Sequence, residues 1–313
     1  MFRKILILVA LVFGFSLFSC GNFNPKPDKR IQAIIQLADR NASSQEIDHA
    51  MLSIKRRFEK FGAYPTLEKV TGNSTIQFTL ETDAPADRVR KFLSISGQLA
   101  FYHMPPRERL LEFLGEADHM LRDSDSSGMA PFLRLAYADV NGFSGSTFHV
   151  AAKDTAEVNR YLAMRSVINL LGPDKNRIKF LWGQRTKTEP SIPLYMLKLN
   201  KFGKAALEED VVATAAQNYD YLDQPSISIV MTKEASSAWE EMTGRAFKDR
   251  TQIAVVLDNV VFSAPGVNGP IQGGRSEITG DFTVEEARDL ASSIASGSIP
   301  KIEILEYHVM ELK

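Results

Sequence analysis

Apolar residues change their spacing several times along the chain, and each change marks an element. Residues 31–37 form a short apolar run that reads as a strand. Ser43 and Glu46 then make a capping box, and Ile47, Ala50, Met51, Ile54, Phe58 and Phe61 follow at helical spacing until Gly62 ends the helix. Residues 66–71 and 75–81 read as strands about Gly72-Asn73, a hairpin-turn dipeptide. Asp83 is placed to cap a second helix with Val89, Phe92 and Leu93 on one face, and residues 98–103 complete the series as a strand. Strand, helix, strand, strand, helix, strand is the order of a ferredoxin-like, split βαβ unit.

The next stretch is less regular. Leu110, Leu114, Ala117 and Leu121 form a helical stripe, and residues 123–128 and 141–146 are polar loops. Asp154 and Glu157 resemble another cap, followed by Val158, Tyr161, Leu162, Arg165 and Ile168 until Gly172-Pro173 stops the helix. Ile178, Phe180 and Trp182 alternate with less apolar neighbours. From residue 194 the pattern sharpens: strands at 194–199, 226–231, 253–257 and 260–264, and a helix at 235–247. Asp258-Asn259 supplies a two-residue turn between the last two strands. Thr283 and Glu286 make a capping box with Phe282 stapled onto Ala287; Leu290, Ala291 and Ile294 continue the buried face, and Gly297 ends it. Ile302, Ile304 and Tyr307 predict a last strand that pairs back with the first unit. The expected class is α+β: a ferredoxin-like base with a large inserted α+β head. The expected segments are a signal at 1–19, a linker at 20–30, the base at 31–103, a mostly helical insertion at 104–192, the head at 193–299 and a returning strand at 300–313.

Composition narrows the setting. The chain is 44% hydrophobic and 24% charged with a net charge of −1, which supports a folded core and offers no global attraction to nucleic acid or an anionic membrane surface. Arg3 and Lys4 precede a nearly continuous apolar run, and Leu17-Phe18-Ser19-Cys20 closes it. The run is short for a bilayer core of about 30 Å and reads as an export signal. It resembles bacterial lipoprotein signals, which implies a diacylglyceryl group on Cys20 and cleavage before it; an uncleaved anchor is the alternative. Asn22, Asn24, Pro25 and Pro27 then make a stiff linker. Cys20 is the single cysteine, so the exported part relies on no disulfide. Gly21 in place of a retention aspartate favours the outer membrane, with the inner membrane left open.

Candidate chemistry is thin. Residues 142–146, Gly-Phe-Ser-Gly-Ser, lack the final glycine of a nucleophile elbow. Asp123, Asp125, Ser127 and Gly128 imitate a calcium loop, but Arg134 stands where the bidentate glutamate belongs. His49, His103, His119, His149 and His308 show no metal-ligand spacing. Lys55, Arg56, Arg57 and Lys60 read as a solvated helix face. Gly266, Gly269, Gly273 and Gly274 follow no phosphate-binding order, and Pro270 interrupts them. The chain is therefore expected to be no enzyme, with no catalytic or metal residues and no cofactor.

One segment carries a resemblance. Residues 254–265, AVVLDNVVFSAP, look like the "IAIVLDG-V-SAP" segment of the SecD family of protein translocase subunits. Ile271-Gln272-Gly273-Gly274, Ser276, Ile278, Gly280, Phe282-Thr283, Glu285-Glu286-Ala287 and Asp289-Leu290-Ala291 continue the family's order and spacing. Gly203-Lys204-Ala205-Ala206-Leu207 with Asp210-Val211-Val212, the helix from Ile54 to Gly62 ("I--R---FG", with Arg57 at the arginine), and Ser96-Gly97-Gln98-Leu99-Ala100-Phe101 resemble earlier family motifs. The resemblance implies the family's large first periplasmic domain, which contacts polypeptide emerging from the SecYEG channel. Asp258, Ala264, Pro265, Gly273, Gly274 and Gly280 are its head-motif positions, and Phe262, Pro265, Val267 and Ile271 the candidate polypeptide contacts. Implied partners are unfolded exported polypeptide, SecYEG or SecDF components, and a membrane through the lipid, with no nucleic acid. Where the family continues into membrane helices that use proton flow, this sequence ends at Leu312-Lys313, so no proton-driven motor is expected of it. The expected function is a lipid-anchored, periplasm-facing accessory of export; the alternative is an envelope scaffold that keeps the fold without acting with Sec.

Overall fold

A computed structural model describes residues 26–60, 62–70, 74–122, 131–138, 147–185, 190–208 and 211–312. The export signal with Cys20, the Gly72-Asn73 turn, the start of the calcium-like loop and the elbow-like Gly142–Ser146 segment lie outside the described residues. In chain order the base begins with β1 (Lys29–Leu37), α1 (Ser44–Lys60), β2 (Thr66–Val70), β3 (Thr75–Thr82) and α2 (Ala86–Ser94). The head follows with β4 (Leu99–His103), α3 (Arg107–Arg122), α4 (Pro131–Leu135), β5 (Ala136–Ala138), β6 (Thr147–Ala151), α5 (Thr155–Leu162) and α6 (Arg165–Asn169). It continues through β7 (Ile178–Trp182), β8 (Ser191–Lys198), β9 (Leu207–Glu208), β10 (Val212–Tyr219), β11 (Pro225–Met231) and α7 (Lys233–Asp249). β12 (Ile253–Leu257), β13 (Val260–Ser263), β14 (Arg275–Ile278) and α8 (Val284–Ala295) complete it, and β15 (Ile302–Glu311) returns to the base.

The base is a four-stranded antiparallel sheet in the order β15-β1-β3-β2. Ile31 and Ile35 of β1 and Phe78 and Leu80 of β3 meet Ile54 and Phe58 of α1 and Phe92 of α2 in one core. The Ser43 cap of α1 forms: the Ser43 N–H donates to Glu46 Oε2 at 2.7 Å, and the Glu46 N–H donates back to Ser43 Oγ at 3.3 Å. The predicted Asp83 cap of α2 does not, because Pro85 takes the N-cap place and its ring presets the entry without a side-chain bond.

The main correction concerns residues 98–103. They do not complete the base; β4 pairs with β12, β8 and β9 in the head, and β15 fills the fourth base position. The reason is in the residues. Leu99, Ala100, Phe101 and Tyr102 are all buried, so both faces of β4 need cover, as in the middle of a large sheet. β15 half-buries only Ile302, Ile304 and Tyr307, which pack on the base core, and exposes its other positions, as suits a strand at the edge with one face on a core.

The head is built on an eight-stranded sheet whose main path runs β13-β12-β4-β8-β6-β5, with β7 on β8 and β9 on β4. Residues 104–192 are thus more than a helical insertion: they supply β5, β6 and β7 to this sheet while α3 to α6 cover it around Phe113, Phe132 and Phe148. The helix expected to run to residue 172 is broken at Ala163-Met164 into α5 and α6. No side chain caps α5; Glu157 instead accepts from the Tyr161 hydroxyl at 2.8 Å and pairs with Arg134 at 3.3 Å. A second sheet, β10-β11-β14, lies across α7 and α8. Ile227 and Ile229 of β11, Trp239 and Met242 of α7, and Ala291 and Ile294 of α8 close that core with Phe101 and Val255. No helix among the described residues is long and apolar enough to cross a membrane.

Candidate functional site

The chain crosses between base and head twice, at residues 95–98 and 296–301, and two charged side chains pin the crossings. Arg57 sits three residues after Ile54 and seven after Ala50, which places it on the buried stripe of α1. It is 1% exposed and donates to the carbonyls of Ile95, Ser96 (3.1 Å) and Gly297 (3.5 Å) and to Ser296 Oγ (3.4 Å). Burial pulls its guanidinium down to about 10, opposed by the charge of Asp258. The expectation of a solvated basic face therefore holds for the exposed Lys55, Arg56 and Lys60 and fails for Arg57.

Asp258 completes the clasp from the head. Asp258 and Asn259 adopt φ of 53° and 63°, the left-handed pair of a tight hairpin between β12 and β13. The Asp258 carboxylate accepts from Ser96 N–H (2.9 Å), Ser96 Oγ–H (2.6 Å), Gly97 N–H (3.3 Å) and Gln98 N–H (2.9 Å). Ser96 thus receives Arg57 on its carbonyl and serves Asp258 with its N–H and hydroxyl. Its carbonyl also accepts from Ile299 N–H at 2.9 Å, which ties the outgoing crossing to the returning one. Gly97 has φ +76°, and a Cβ there would come within 2.9 Å of the Ser293 carbonyl. On the flank, Arg88 of α2 grips Asp289 of α8 with two bonds of 3.0 and 2.9 Å, and Lys91 reaches Glu286 at 2.9 Å.

The remaining motif residues form a loop folded over α7. Ile271 N–H donates to Thr243 Oγ1 at 2.8 Å, Gln272 Nε2 donates to Glu240 at 2.9 Å, and Ile253 N–H donates to the Pro265 carbonyl at 3.2 Å. Gly273 and Gly274 have φ of 74° and 61°. A Cβ on Gly274 would lie 2.1 Å from Ser236 Oγ, whereas one on Gly273 would meet nothing within 4 Å. Gly280 approaches Gln184 and the Phe282 ring, each 2.9 Å from a built Cβ, and Ala264 packs on the small core beneath β13.

Beneath this loop opens a cleft of about 490 Å³ in which Pro265, Val267 and Ile271 face Trp239, Ile253 and Val255. Pro265 is exposed, while Val267 and Ile271 are half-buried and also touch the main head core. The structure brings these three candidates together and separates the fourth. Phe262 stacks on Phe282 with centroids 5.5 Å apart and lines another cavity of about 240 Å³, beside Ile95, Val260 and Leu290. The sequence reading had Arg57 and Ser96 within family motifs but assigned neither a role at the junction, and it missed the Arg88–Asp289 pair. The position of Arg57 on the apolar stripe was a usable signal; the other two depend on a fold-back that local spacing does not encode.

Comparison with known proteins places this geometry. Residues 186–301 match the family model for the SecDF P1 head subdomain. The SecD protein translocase subunit of Rhodothermus marinus is 37% identical over 158 residues, 50% of this chain and 25% of that protein. Its counterpart in Rickettsia bellii is 39% identical over 104 residues, 33% of this chain and 20% of that protein. The matched segments thus span a quarter or less of these relatives' length. Among solved structures, SecDF in its super-membrane-facing form aligns with a TM-score of 0.56 at 20% identity, over 91% of this chain and 31% of that one. A second, of SecDF as a membrane component that enhances protein export, aligns at 0.50 and 20% identity over 88% of this chain and 98% of that one. Motif, family model and fold thus agree in one direction: residues 186–301 are similar to the SecDF P1 head subdomain, and the fold is like that of the SecDF structures that align with it.

Proposed function

We propose that this chain is a lipid-anchored, periplasm-facing accessory of protein export, whose head holds translocating polypeptide in the cleft under residues 264–274. The observation that carries the reading is that the family's head motif folds into an apolar cleft: Pro265, Val267 and Ile271 line it together. The mechanism needs no motor in this chain. A segment held on the exit side slides back less often, so reversible binding alone biases movement outward. The holder must also let go, which sets affinity at micromolar or weaker, a binding free energy of about −8 kcal/mol or smaller in magnitude. SecYEG or SecDF components are the partners that would place it at the exit.

Attachment is assigned to acyl chains on Cys20, each buried methylene contributing about 0.8 kcal/mol. Cys20→Ser should release the protein from membranes; a variant that stays bound with its signal uncut would make the signal the anchor. The test of function is a photo-crosslinker at Asn268, which is exposed beside the cleft. Crosslinks to exported chains in cells are expected during active secretion. Their absence, with the protein present in the envelope, would favour the scaffold reading.

A further inference from the structure

β10 is paired on one side only among the described residues, with β11. Its free side can be read from the hairpin that closes it. Asp220 N–H donates to the Gln224 carbonyl at 2.9 Å, Asp223 N–H donates to the Asp220 carbonyl at 3.0 Å, and Asp223 has φ 57°. That is a three-residue hairpin loop whose closing pair, Asp220 and Gln224, is bonded. The next pair, Tyr219 with Pro225, is then a wide one, in keeping with a proline that has no N–H. Counting back by twos along the regular register, Gln217 and Ala215 share the orientation of Tyr219. All three aim N–H and C=O away from β11, along the open edge.

Most edges in this molecule are guarded or short. β15 carries Glu303, Glu306 and Glu311, and β2 carries Glu68 and Lys69. β14 carries Arg275 and Glu277, while β5 and β13 are only 3 and 4 residues long. Charges and shortness are the usual defences against edge-to-edge pairing. β10 is 8 residues long and reads Val-Ala-Thr-Ala-Ala-Gln-Asn-Tyr, with neither charge nor proline. Its one irregularity is a register shift between Val212 and Thr214, which leaves residues 214–219 straight. Ala213, Thr214, Ala216 and Asn218 are exposed, and Tyr219, Tyr221 and Leu222 are at least half exposed at the hairpin end.

We infer that the free edge of β10 is a strand-addition site that takes an extended, uncharged segment of another polypeptide. The inference rests on the proposed binding of exported chains and supplies a way to hold them without reading their sequence. Main-chain bonds supply the affinity, and the small side chains of β10 impose little selection on the incoming strand. The exposed Tyr219, Tyr221 and Leu222 offer apolar contact where that strand runs past the hairpin. An uncharged edge also repels neither sign of charge in a client.

The test uses the full-length chain in mild detergent with an uncharged Thr/Val peptide as long as β10, and the same peptide N-methylated at alternate residues. The parent peptide should slow amide hydrogen exchange at Ala215, Gln217 and Tyr219. N-methylation on the pairing edge, and separately Gln217→Pro, should each weaken binding about tenfold, the scale of one or two ladder bonds. Gln217→Pro removes an outward N–H that makes no ladder bond to β11, a place where edge strands accept proline. Should that variant misfold, Ala216→Lys on the exposed face is the second probe, and an unchanged melting curve certifies either one. Equal binding of the N-methylated peptide, or protection at other amides, overturns the inference. Protection of the three amides that grows with protein concentration and no peptide overturns it in favour of a second copy. Crosslinks at Asn268 without β10 protection would sink this site alone; β10 protection without those crosslinks would sink the cleft alone.

Discussion

Base and head use the same elements to opposite ends. The base lays two helices on one face of a four-stranded sheet, and its outer strands β15 and β2 both carry charges. The head wraps two sheets around α7 and α8, buries β4 on both faces, and among the described residues leaves the long β10 edge unpaired. A sheet with charged edges is closed to further strands and suits a support; an uncharged edge on a head that also carries an apolar cleft, at the β14 side of the same sheet, suits a surface that meets other chains. The clasp of Arg57, Ser96 and Asp258 lies where these two constructions meet. Its strength decides whether they behave as one body.

The largest effect is expected there. Arg57→Ala should cost about 3–5 kcal/mol, because it strips bonded carbonyls of their donor and empties the site of a large buried side chain. If the clasp makes head and base one body, denaturant unfolding should pass from one transition in the native chain to two in the variant as they part. Asp258→Ala leaves the N–H groups of Ser96, Gly97 and Gln98 without their acceptor and should cost about 2 kcal/mol. The two residues do not bond each other, yet both hold Ser96, so the double variant should cost less than the sum. Strict additivity would mean that Ser96 transmits nothing and that the two crossings are held independently.

How much of this was legible in sequence depended on whether the determinant was local. The Thr283 box forms on α8, with Thr283 Oγ1 accepting from Glu286 N–H at 3.1 Å, because its partners are three residues apart. The Asp258-Asn259 turn formed for the same reason. Residues 98–103 were misplaced because strand order is set by which residues need cover on both faces, and an apolar run fits two sheets equally well until the other strands are in place. In the head motif the spacing 264–274 was visible as a loop, but the division of labour within it was not. Phe262 leaves the cleft for Phe282, a contact 20 residues away in sequence that periodicity cannot see.

A middle-sized effect separates the two glycines of that loop. Gly274→Val forces a side chain into a left-handed backbone and against Ser236, so it should cost about 1–3 kcal/mol and loosen residues 264–274 from α7. Gly273→Ala faces the backbone penalty alone and should cost about 1 kcal/mol. Chemical denaturation checks both, and peptide binding is the discriminating readout. If Gly273→Ala keeps its stability and loses binding, the loop backbone itself touches the client. Equal losses of stability would mean that the Ser236 contact relaxes and only φ matters.

The smallest effect is a pH response at the flank of the junction. Burial pushes the Glu286 carboxyl up, but the Lys91 ammonium and the Thr283 N–H outweigh it and hold the group below its ordinary value of 4.5. A carboxyl depressed in the folded state stabilises it above the ordinary value, and that contribution is lost as pH falls through the folded value. Both partners are substantially exposed, so solvent screening keeps the contribution to about 0.5 kcal/mol or less. The stability difference between the native chain and Glu286→Gln should therefore be flat down to the ordinary carboxyl value of 4.5 and shrink as pH falls from there through the lowered folded value. Raising salt should reduce it over the upper range, since the Lys91 pair is screened. A difference that survives at low pH would belong to the capping geometry of α8 and not to its charge. In that case the Lys91–Glu286 pair adds nothing electrostatic to the junction, and the charge contact of the α2–α8 flank rests on Arg88 and Asp289.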